Sequence, residues 1–330
     1  TTVPIINTDI SYNKKITEQQ LVISEYETEI YKRELVKNIK TAYYNYRTAL
    51  EAVKIYQSAL QLAEEGKRVN EKLLENGKGL PAYILRATSE IENAKAQMIA
   101  AQQQQNNAQR YFNFLLNRNQ IAQIDTGDIP GTGAETLQVL ATKDITTTQR
   151  EELKVLKEAI TLNATVLRMN KAVYYPKLNG FLDLGSQAQN WKFNAQSRYY
   201  MAGLQLDVPI FSGFRNRNKI KQSDLDVKNA ELQLDLANQQ LDLAGNVAAN
   251  NLLSAYQTFL SSQKQLEAAQ TYQRLIDRGY REGVNTYIET IDARNQLTQA
   301  QLAVAINQYK VLIAAANVER ETASFQLQKQ

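Results

Sequence analysis

Apolar side chains recur with helical spacing over two very long stretches of the chain. The first runs from about residue 13 to 76 and the second from about 216 to 282, and each predicts a single helix. At a rise of about 1.5 Å per residue, each helix would be about 95–100 Å long, which suits a coiled coil or a tube better than a compact core. A shorter helix is predicted to follow each long one, at about 82–117 and 286–322.

A strict seven-residue repeat of apolar residues marks the faces on which these helices would pack. Such a repeat winds helices around one another, and small side chains within it allow a close approach. In the second half of the chain its members are Val227, Leu234, Leu241, Ala248 and Ala255, followed by Leu297, Val304, Val311 and Val318.

Glycines mark the ends of both long helices. Gly77 and Gly79 follow the first long helix and Gly283 follows the second, and glycine is the usual residue just after a helix C-terminus. Pro81 is suited to the first turn of the next helix. The sequence therefore predicts two helical hairpins with tight tip turns.

Between the hairpins, the spacing of apolar residues changes from helical to alternating. The stretches 177–185 and 198–210 predict an antiparallel β-hairpin with one apolar and one mostly polar face. The residues predicted to point to the polar face include Asn179, Asp183, Gln205 and Asp207. The apolar face is predicted to carry Leu178, Leu182 and Leu184 from the first strand and Tyr200, Leu204, Leu206, Val208 and Ile210 from the second.

Two environments are compatible with such a strand pair. The apolar face could pack on the core of a soluble sandwich, or it could face lipid while the polar face lines a water-filled lumen. The second is favoured, because the helices use their apolar stripes on each other and the only further β signal is the opening TTVPII. Tyr199, Tyr200 and Trp191 would then lie near a membrane interface.

A Val-Pro-Ile sequence occurs at both places where an extended stretch passes into a long helix. Proline tolerates a strand end, so each Val-Pro-Ile sequence, with Pro4 or Pro209 at its centre, is interpreted as the last outward-facing turn of a barrel strand. A short turn follows each one, and in the second it contains Gly213. These residues are the predicted junctions between strands and helices.

The same markers recur at a nearly constant separation, which indicates an internal repeat. Val3 and Val208 are 205 residues apart, and Gly77 and Gly283 are 206 apart. The first unit lacks a counterpart of roughly residues 140–197. We therefore expect the native chain to extend N-terminally of Thr1.

Composition removes several classes of chemistry. The 330 residues include no His and no Cys, so the commonest general base, metal ligand and thiolate nucleophile are missing. We predict no catalytic site, no metal and no cofactor. The net charge of +4 is spread over alternating signs, which is typical of solvated helix surfaces and does not favour nucleic-acid binding. The mean hydropathy is −0.46.

Two other classes of protein compete with a membrane channel. A soluble coiled-coil structural or adaptor protein would explain the helices, but it has no use for an apolar sheet face. An enzyme is disfavoured, because the chain also lacks a glycine-rich phosphate loop and a serine-nucleophile elbow.

The ordered set of motifs resembles the TolC-type outer-membrane efflux proteins, the outer membrane factor family. The set comprises the paired Val-Pro-Ile junctions, the two glycine tips and the segment YREGVNTYIETIDARNQL, which is similar to that family's tip motif. The resemblance implies a homotrimer in the bacterial outer membrane with a large periplasmic part. Its helical hairpins would form an α-barrel joined to a transmembrane β-barrel. It also implies an exit duct of tripartite efflux or type I secretion, with an inner-membrane transporter and a periplasmic adaptor as partners.

The resemblance also implies a gate at the periplasmic end. Matched residue by residue, Glu289 and Asp292 fall on the acidic positions of the narrowest ring, and Tyr280 falls on a tyrosine that helps to hold the iris shut. This chain departs from the pattern at two positions, with Asn285 in place of an arginine and Tyr83 in place of an aspartate. The alternative is that both acids are ordinary solvated residues near a helix N-terminus.

These expectations divide the chain into six segments. The helix that returns to the membrane is predicted to have Thr148 as its N-cap, with Glu151 three residues on. The segments are the end of a first barrel hairpin (1–12), a first periplasmic hairpin (13–118), an equatorial connector (119–145), the returning helix (146–176), a second barrel hairpin (177–211) and a second periplasmic hairpin (212–330).

Overall fold

A computed structural model of the chain describes residues 1–127, 147–187, 195 and 198–327. Trp191 and most of the predicted connector lie outside these residues. The described α-helices and β-strands, in chain order, are β1 (Thr2–Ile6), α1 (Thr8–Glu75), α2 (Pro81–Leu115), α3 (Glu151–Lys171), β2 (Lys177–Ser186), β3 (Arg198–Asp207), α4 (Arg215–Arg281) and α5 (Tyr287–Thr322).

Over the described residues the chain is mainly helical with one small sheet, which confirms the predicted fold class. Both long helices end close to the positions that the apolar periodicity predicts, at Glu75 and Arg281. In the part of the chain that the structure describes, no helix combines the length and the apolar character needed to cross a membrane.

Two helices begin elsewhere than predicted. Helix α1 starts at Thr8 rather than near residue 13, because the side-chain oxygen of Asn7 accepts the backbone N–H of Asp9 at 3.0 Å and so caps the helix. Thr148 is not the N-cap of α3, so that prediction is wrong. The N-cap is Arg150, whose backbone is extended (φ −67°, ψ 138°), and helical geometry starts only at the next residue.

The three strands form one antiparallel sheet in the order β1-β2-β3. Leu206, Ala202 and Tyr200 on β3 lie opposite Leu178, Leu182 and Leu184 on β2, so the apolar side chains of both strands share one face. This is the face assignment that the alternating pattern predicts. Residues of β1 extend the face, since Val3 pairs with Gly180.

The two Val-Pro-Ile sequences have different structures. Pro4 lies within β1, a strand at the edge of the described sheet, next to a register shift. The prediction that β3 continues to Ile210 is wrong, because the strand ends at Asp207 and Val208 already lies beyond it. Asp207 pairs with the first residue of β2, and Pro209 has no N–H with which to continue the ladder.

The chain divides into two compact units. The first, the sheet unit, combines Thr1–Tyr31 with Thr148–Leu241. The second, the hairpin unit, combines Lys32–Thr147 with Asp242–Gln330.

In the sheet unit, polar side chains help to join the elements. The amide of buried Asn170 on α3 donates to the hydroxyl of Ser223 on α4 at 2.6 Å. Lys177, the first residue of β2, forms an ion pair with Asp9 in the first turn of α1. These bonds tie the helices and the sheet of this unit together.

In the hairpin unit, α1 and α2 form the first hairpin, and α4 and α5 form the second. Within the second hairpin, the predicted seven-residue seam is confirmed where its members are buried, as at Ala248 and Val311. The buried cluster of the second hairpin comprises Ala248, Leu252, Phe259, Val311, Ala314 and Val318, and that of the first comprises Ala42, Tyr46, Phe112 and Ile124.

Candidate functional site

The tip turn of the second hairpin is built around two glycines. Gly283 adopts a left-handed backbone (φ 77°), and its N–H donates to the Tyr280 carbonyl at 3.1 Å. The N–H of Val284 donates to the carbonyl of Gly279 at 2.8 Å, which closes the end of α4. A Cβ at Gly279 would collide with the side chain of Asn285. The tip motif in the sequence identified Gly283, but it did not reveal the role of Gly279.

Glu289 lies in the first turn of α5, where its carboxylate completes a capping box. One of its oxygens accepts the Thr286 N–H at 2.6 Å and the Thr286 hydroxyl at 3.0 Å, and the Thr286 hydroxyl also accepts the Glu289 N–H at 3.4 Å. The bond from the Thr286 backbone N–H is the main reason that the pKa of Glu289 is lowered, and the Thr286 hydroxyl and the Asn285 amide add to it. The Glu289 side chain is solvent-exposed, and because its pKa is lowered its carboxylate is ionised at neutral pH.

Asp292 follows one turn later and is also exposed. Its carboxylate accepts the side-chain amide of Gln296 at 2.8 Å. Residues three apart on a helix are neighbours on its surface, so Asp292 and Glu289 lie on one side of α5.

The tip turn of the first hairpin has a related backbone but a different helix start. Gly77 is left-handed (φ 67°), and a Cβ at Gly79 would lie 2.5 Å from the backbone nitrogen of Leu74. Helix α2 begins with Pro81 at its first position, and its N-cap, Leu80, makes no side-chain capping bond.

Tyr280, in the last turn of α4, bonds to a residue that no sequence motif identified. Its hydroxyl donates to the side-chain oxygen of Asn70 on α1 at 3.0 Å. Asn70 is only 1% exposed, and its amide donates to the carbonyl of Gly66 at 2.8 Å. Burial is the main cause of the raised pKa of Tyr280. Because 210 residues separate Asn70 from Tyr280, local patterns could not reveal the pair.

An aromatic cluster surrounds this bond. The ring of Tyr287 on α5 lies 5.6 Å from that of Tyr83 on α2 and 5.9 Å from that of Tyr280, in tilted arrangements. Buried Ala87 and Ile291 pack with these rings. Tyr83 thus makes ring contacts at the position where the resembled family has an aspartate.

The three residues predicted for the gate have different partners. Glu289 binds the first turn of its own helix, Asp292 binds Gln296, and Tyr280 binds the first hairpin through Asn70. The tip thus combines two exposed carboxylates with a partly buried hydrogen bond between the hairpins.

A second candidate surface is the apolar face of the sheet, in the sheet unit. Leu204 is 70% exposed and Leu206 is 63% exposed. Ile210, beyond the end of β3, is exposed as well. On the opposite face the rings of Phe181 and Tyr199 lie over glycines of the neighbouring strand, so that face is not uniformly polar.

Comparison with known proteins identifies the fold and the family. The alkaline protease secretion protein AprF of Pseudomonas aeruginosa is 21% identical over 309 residues, which cover 91% of this chain and 63% of AprF. The open-state outer-membrane channel MtrE of Neisseria gonorrhoeae has a similar structure, with a TM-score of 0.78 and 18% identity over 97% of this chain and 73% of MtrE. The outer-membrane protein VceC of Vibrio cholerae has a TM-score of 0.78 and 14% identity over 97% of this chain and 77% of VceC.

The model of the family described as "Outer membrane efflux protein" matches residues 9–118 and 146–323. These ranges lie in both halves of the predicted repeat. The match confirms the resemblance and the outer-membrane location, and it rules against the alternative of a soluble coiled-coil structural or adaptor protein. The family is one of channels and not of enzymes. The family model matches more than half of the residues of this chain, and the chain therefore belongs to the outer membrane efflux protein family.

Proposed function

We propose that this chain is the protomer of a trimeric exit duct in the outer membrane. The duct passes substrates from an inner-membrane pump and a periplasmic adaptor to the exterior. The observation that carries the proposal is the exposed apolar face of the sheet, on which Leu204 and Leu206 continue across β2 to Leu178 and Leu182. A face of this kind suits contact with lipid, and the opposite face suits a water-filled lumen.

The edges of the sheet support an assembly of several copies. In the described sheet, β1 and β3 each pair with β2 alone, so each has an outer edge of backbone N–H and C=O groups. Hydrocarbon offers no hydrogen bonds to such groups, and strands from other copies would satisfy them in a closed barrel. Three copies would bring together the strands that one chain cannot close by itself.

Crosslinking of the full native chain in mild detergent tests this assembly. We expect a trimer band as the largest product, together with channel conductance after insertion into planar bilayers. Recovery of the intact native chain as a water-soluble monomer would contradict the proposal.

Glu289 and Asp292 are the proposed acids of the duct's narrowest ring. Both are exposed at the tip of the second hairpin, and three copies would bring six carboxylates together. Such a ring favours cations and binds multivalent ones tightly enough to slow their passage. The conductance should therefore be cation-selective and blocked by trivalent cations added on the helical side.

The amide variants Glu289→Gln and Asp292→Asn, combined, test the ring better than alanine. Alanine at Glu289 would also remove the capping acceptor, whereas glutamine keeps an oxygen for the Thr286 N–H. We expect the double variant to lose trivalent block with an unchanged trimer yield. Glu282→Gln is the matched control, because Glu282 is an exposed tip acid that binds Arg278 at 2.9 Å. A double variant as sensitive to block as the parent would place the constriction elsewhere.

The kind of cargo is proposed from the relatives. AprF is named for secretion of an alkaline protease, and the family model is named for efflux, so both routes are compatible with this chain. The chain spans only 63% of the length of AprF, so its partner pump has to be identified by experiment. Co-purification from native membranes should recover an inner-membrane transporter and an adaptor, and recovery of neither would argue against a tripartite assembly.

A further inference from the structure

The connection between β3 and α4 carries three large apolar side chains that the chain itself does not cover. Ile210 is 91% exposed, and Phe211 and Phe214 are exposed as well. The two rings meet edge to face, with 5.6 Å between their centroids. We name these three residues the apolar turn. Exposed apolar groups that lie so close together mark a surface that contacts a membrane or another protein.

The backbone of the apolar turn is strained at Phe214. Gly213 and Phe214 are both left-handed (φ 63° and 62°), and the N–H of Arg215 donates to the carbonyl of Ser212 at 3.2 Å. Turns with two such residues in succession normally use glycine, asparagine or aspartate, and a bulky residue is unfavourable there. Strain that is retained in a folded protein points to a use for the residue that bears it. Here that residue presents an exposed ring.

Four exposed basic residues follow the apolar turn within the first two turns of α4. We name them the basic collar: Arg215, Arg217, Lys219 and Lys221. The sequence has no acidic residue between Asp207 and Asp224. Over the part of the chain that the structure describes, no collar side chain forms an ion pair, whereas Lys228 further along α4 pairs with Asp224 at 3.1 Å. Basic residues near a helix N-terminus oppose the helix macrodipole, so the helix itself does not explain them.

The basic collar lies on both flanks of α4. Asn216 is buried and marks the inner side of the helix. Residues four apart share one side of a helix, so Arg215 and Lys219 lie on one flank and Arg217 and Lys221 on the other. No single point lies close to all four side chains. The arrangement therefore suits an extended anionic surface better than a small anion in solution.

The apolar turn and the basic collar lie where the sheet ends. Ile6 pairs with Leu178 and Asp207 pairs with Lys177, so the helices that adjoin the three strands all attach at one end of the sheet. Tyr175, just before β2, is exposed at this end as well. If the apolar face of the sheet contacts lipid, this end lies at the level of the headgroups, where aromatic rings and basic side chains are both favourable.

We propose that the apolar turn and the basic collar together bind anionic phospholipids in the leaflet from which the helices emerge. The proposal rests on the lipid contact of the sheet proposed above. The apolar turn inserts between acyl chains just below the headgroups, and the basic collar lies level with the lipid phosphates. Lipids with a net negative charge are attracted to the collar and lipids with no net charge are not, so the site selects lipids by headgroup charge.

Fluorescence quenching in the reconstituted full-length assembly measures which lipids surround the apolar turn. Trp191 is the single tryptophan of the 330 residues, so Phe211→Trp in a Trp191→Phe background places one reporter there. The vesicles contain equal amounts of phosphatidylcholine and phosphatidylglycerol, with the acyl chains of one lipid brominated at a time. At about 0.1 M salt, brominated phosphatidylglycerol should quench about two- to fivefold more strongly than brominated phosphatidylcholine, the range for attraction by one basic residue.

Variants of the basic collar test the source of this preference. Arg215→Gln combined with Arg217→Gln should remove at least half of the excess quenching by phosphatidylglycerol. Lys264→Gln combined with Arg274→Gln is the matched control, because both are exposed basic residues of α4 at least 43 positions beyond the collar. The control should keep the preference of the parent. Raising the ionic strength to about 1 M should reduce the preference of the parent, since salt screens exposed charges.

Phe214→Gly separates the ring from the strained backbone. Glycine adopts a left-handed backbone without strain, so the unfolding temperature in detergent should not fall. Quenching of the Phe211→Trp reporter by both brominated lipids should nevertheless decrease, because the turn loses a ring that holds it in the bilayer. Phe114→Ala removes an exposed ring from α2 and should leave the quenching unchanged. Unchanged quenching in Phe214→Gly overturns the anchoring role of this ring.

A reporter at Tyr200 separates this proposal from the proposed function. Tyr200 lies on the apolar face seven residues before the end of β3, so Tyr200→Trp should be quenched strongly and equally by both brominated lipids. No quenching there overturns the lipid contact of the sheet. Strong quenching there with no preference at Phe211→Trp overturns the anionic-lipid site alone. A preference that persists without Arg215 and Arg217 also overturns it and leaves the collar to an acidic protein surface.

Discussion

At the scale of a single residue, the carboxylate of Glu289 has two roles. It caps α5 by accepting bonds from Thr286, and it carries one of the two charges proposed for the aperture. Mutations that remove the side chain therefore change helix stability and pore charge together. Substitution of its capping partner, Thr286, changes helix stability without changing the charge of the pore.

Thr286→Ala should lower the free energy of unfolding by about 0.5–2 kcal/mol, because it removes the N-cap acceptor of α5. Thr258→Ala is the control, since the Thr258 hydroxyl bonds to the Ser254 carbonyl within α4 and alanine is a good helix former there. Thermal unfolding at fixed protein concentration measures both. Equal midpoints for Thr286→Ala and the parent would show that the cap is not needed.

The same cap predicts a pH dependence. The folded-state pKa of Glu289 is lowered, chiefly by the Thr286 N–H, so its contribution to stability is present above the unfolded-state pKa and is lost as pH falls through the lower folded-state pKa. The difference in unfolding midpoint between the parent and Glu289→Gln should therefore be largest near neutral pH and shrink in acid, below about pH 4. A difference that is constant from neutral to acid pH would exclude ionised Glu289 as the source.

At the scale of elements, the corresponding helices of the two hairpins begin differently. Helix α5 has a capping box, whereas α2 begins after Leu80, whose extended backbone (φ −110°, ψ 132°) carries no capping side chain. Leu80→Asp should stabilise the chain by about 0.5–2 kcal/mol in thermal unfolding, because aspartate can accept an N–H of the first turn. Leu85→Asp, at an exposed position within α2, should give no such gain. Equal effects of the two substitutions would assign the change to charge and not to capping.

The sheet supports a prediction about its two faces. Leu204 and Leu206 lie on the apolar face opposite Gly180 and Leu178, whereas Gln205 lies on the other face opposite Asn179. Leu204→Arg or Leu206→Arg should cost about 2–4 kcal/mol near the bilayer midplane, while Gln205→Arg should have little effect. Trimer yield from native membranes provides the measurement. If arginine is equally harmful on both faces, the proposed lipid contact is on the wrong face or is absent.

Across the hairpin unit as a whole, the hairpins are joined by different chemistry at the two ends of α5. Near its C-terminus, Glu319 pairs with Lys40, and Arg320 pairs with Glu34 at 3.1 Å. The bonds from Lys37 and Arg320 lower the pKa of Glu34, although burial, the largest single influence, opposes them. Near its N-terminus the join is the hydrogen bond from Tyr280 to Asn70, with the ring contacts around it.

Dissolved salt should therefore weaken the ion-paired end of α5. Ala316 lies in a pocket that Glu319 and Arg320 also line. Because the chain has no Cys, the rate at which Ala316→Cys reacts with a maleimide reports opening of this end. Partly exposed pairs contribute about 0.2–1 kcal/mol each, so about 1 M salt should accelerate labelling at position 316 by up to about fivefold for each pair that it weakens. Lys40→Met should make position 316 less sensitive to salt. A labelling rate that salt leaves unchanged, or that salt raises equally in Lys40→Met and the parent, would show that these ion pairs do not hold this end.

The sequence by itself determined the features that depend on residues close together in the chain: the helices, the strand faces and the tip turns. Helical periodicity located α1, α2, α4 and α5, and alternation assigned the two faces of β2 and β3, because both patterns depend on residues a few positions apart. Glycines with a left-handed backbone, Gly77 and Gly283, lie at the predicted tips for the same reason. The capping box is a local pattern of the same kind, because Thr286 is followed three residues later by Glu289.

Only the tertiary structure decided which distant residues meet. The partner of Tyr280 is an asparagine 210 positions away, and Gly66 matters because Tyr287 of the other hairpin lies against it. The end of β3 at Asp207 likewise depends on where its partner strand begins. Local patterns describe one element at a time, whereas these contacts depend on how separate elements pack, so no spacing along the chain contains them.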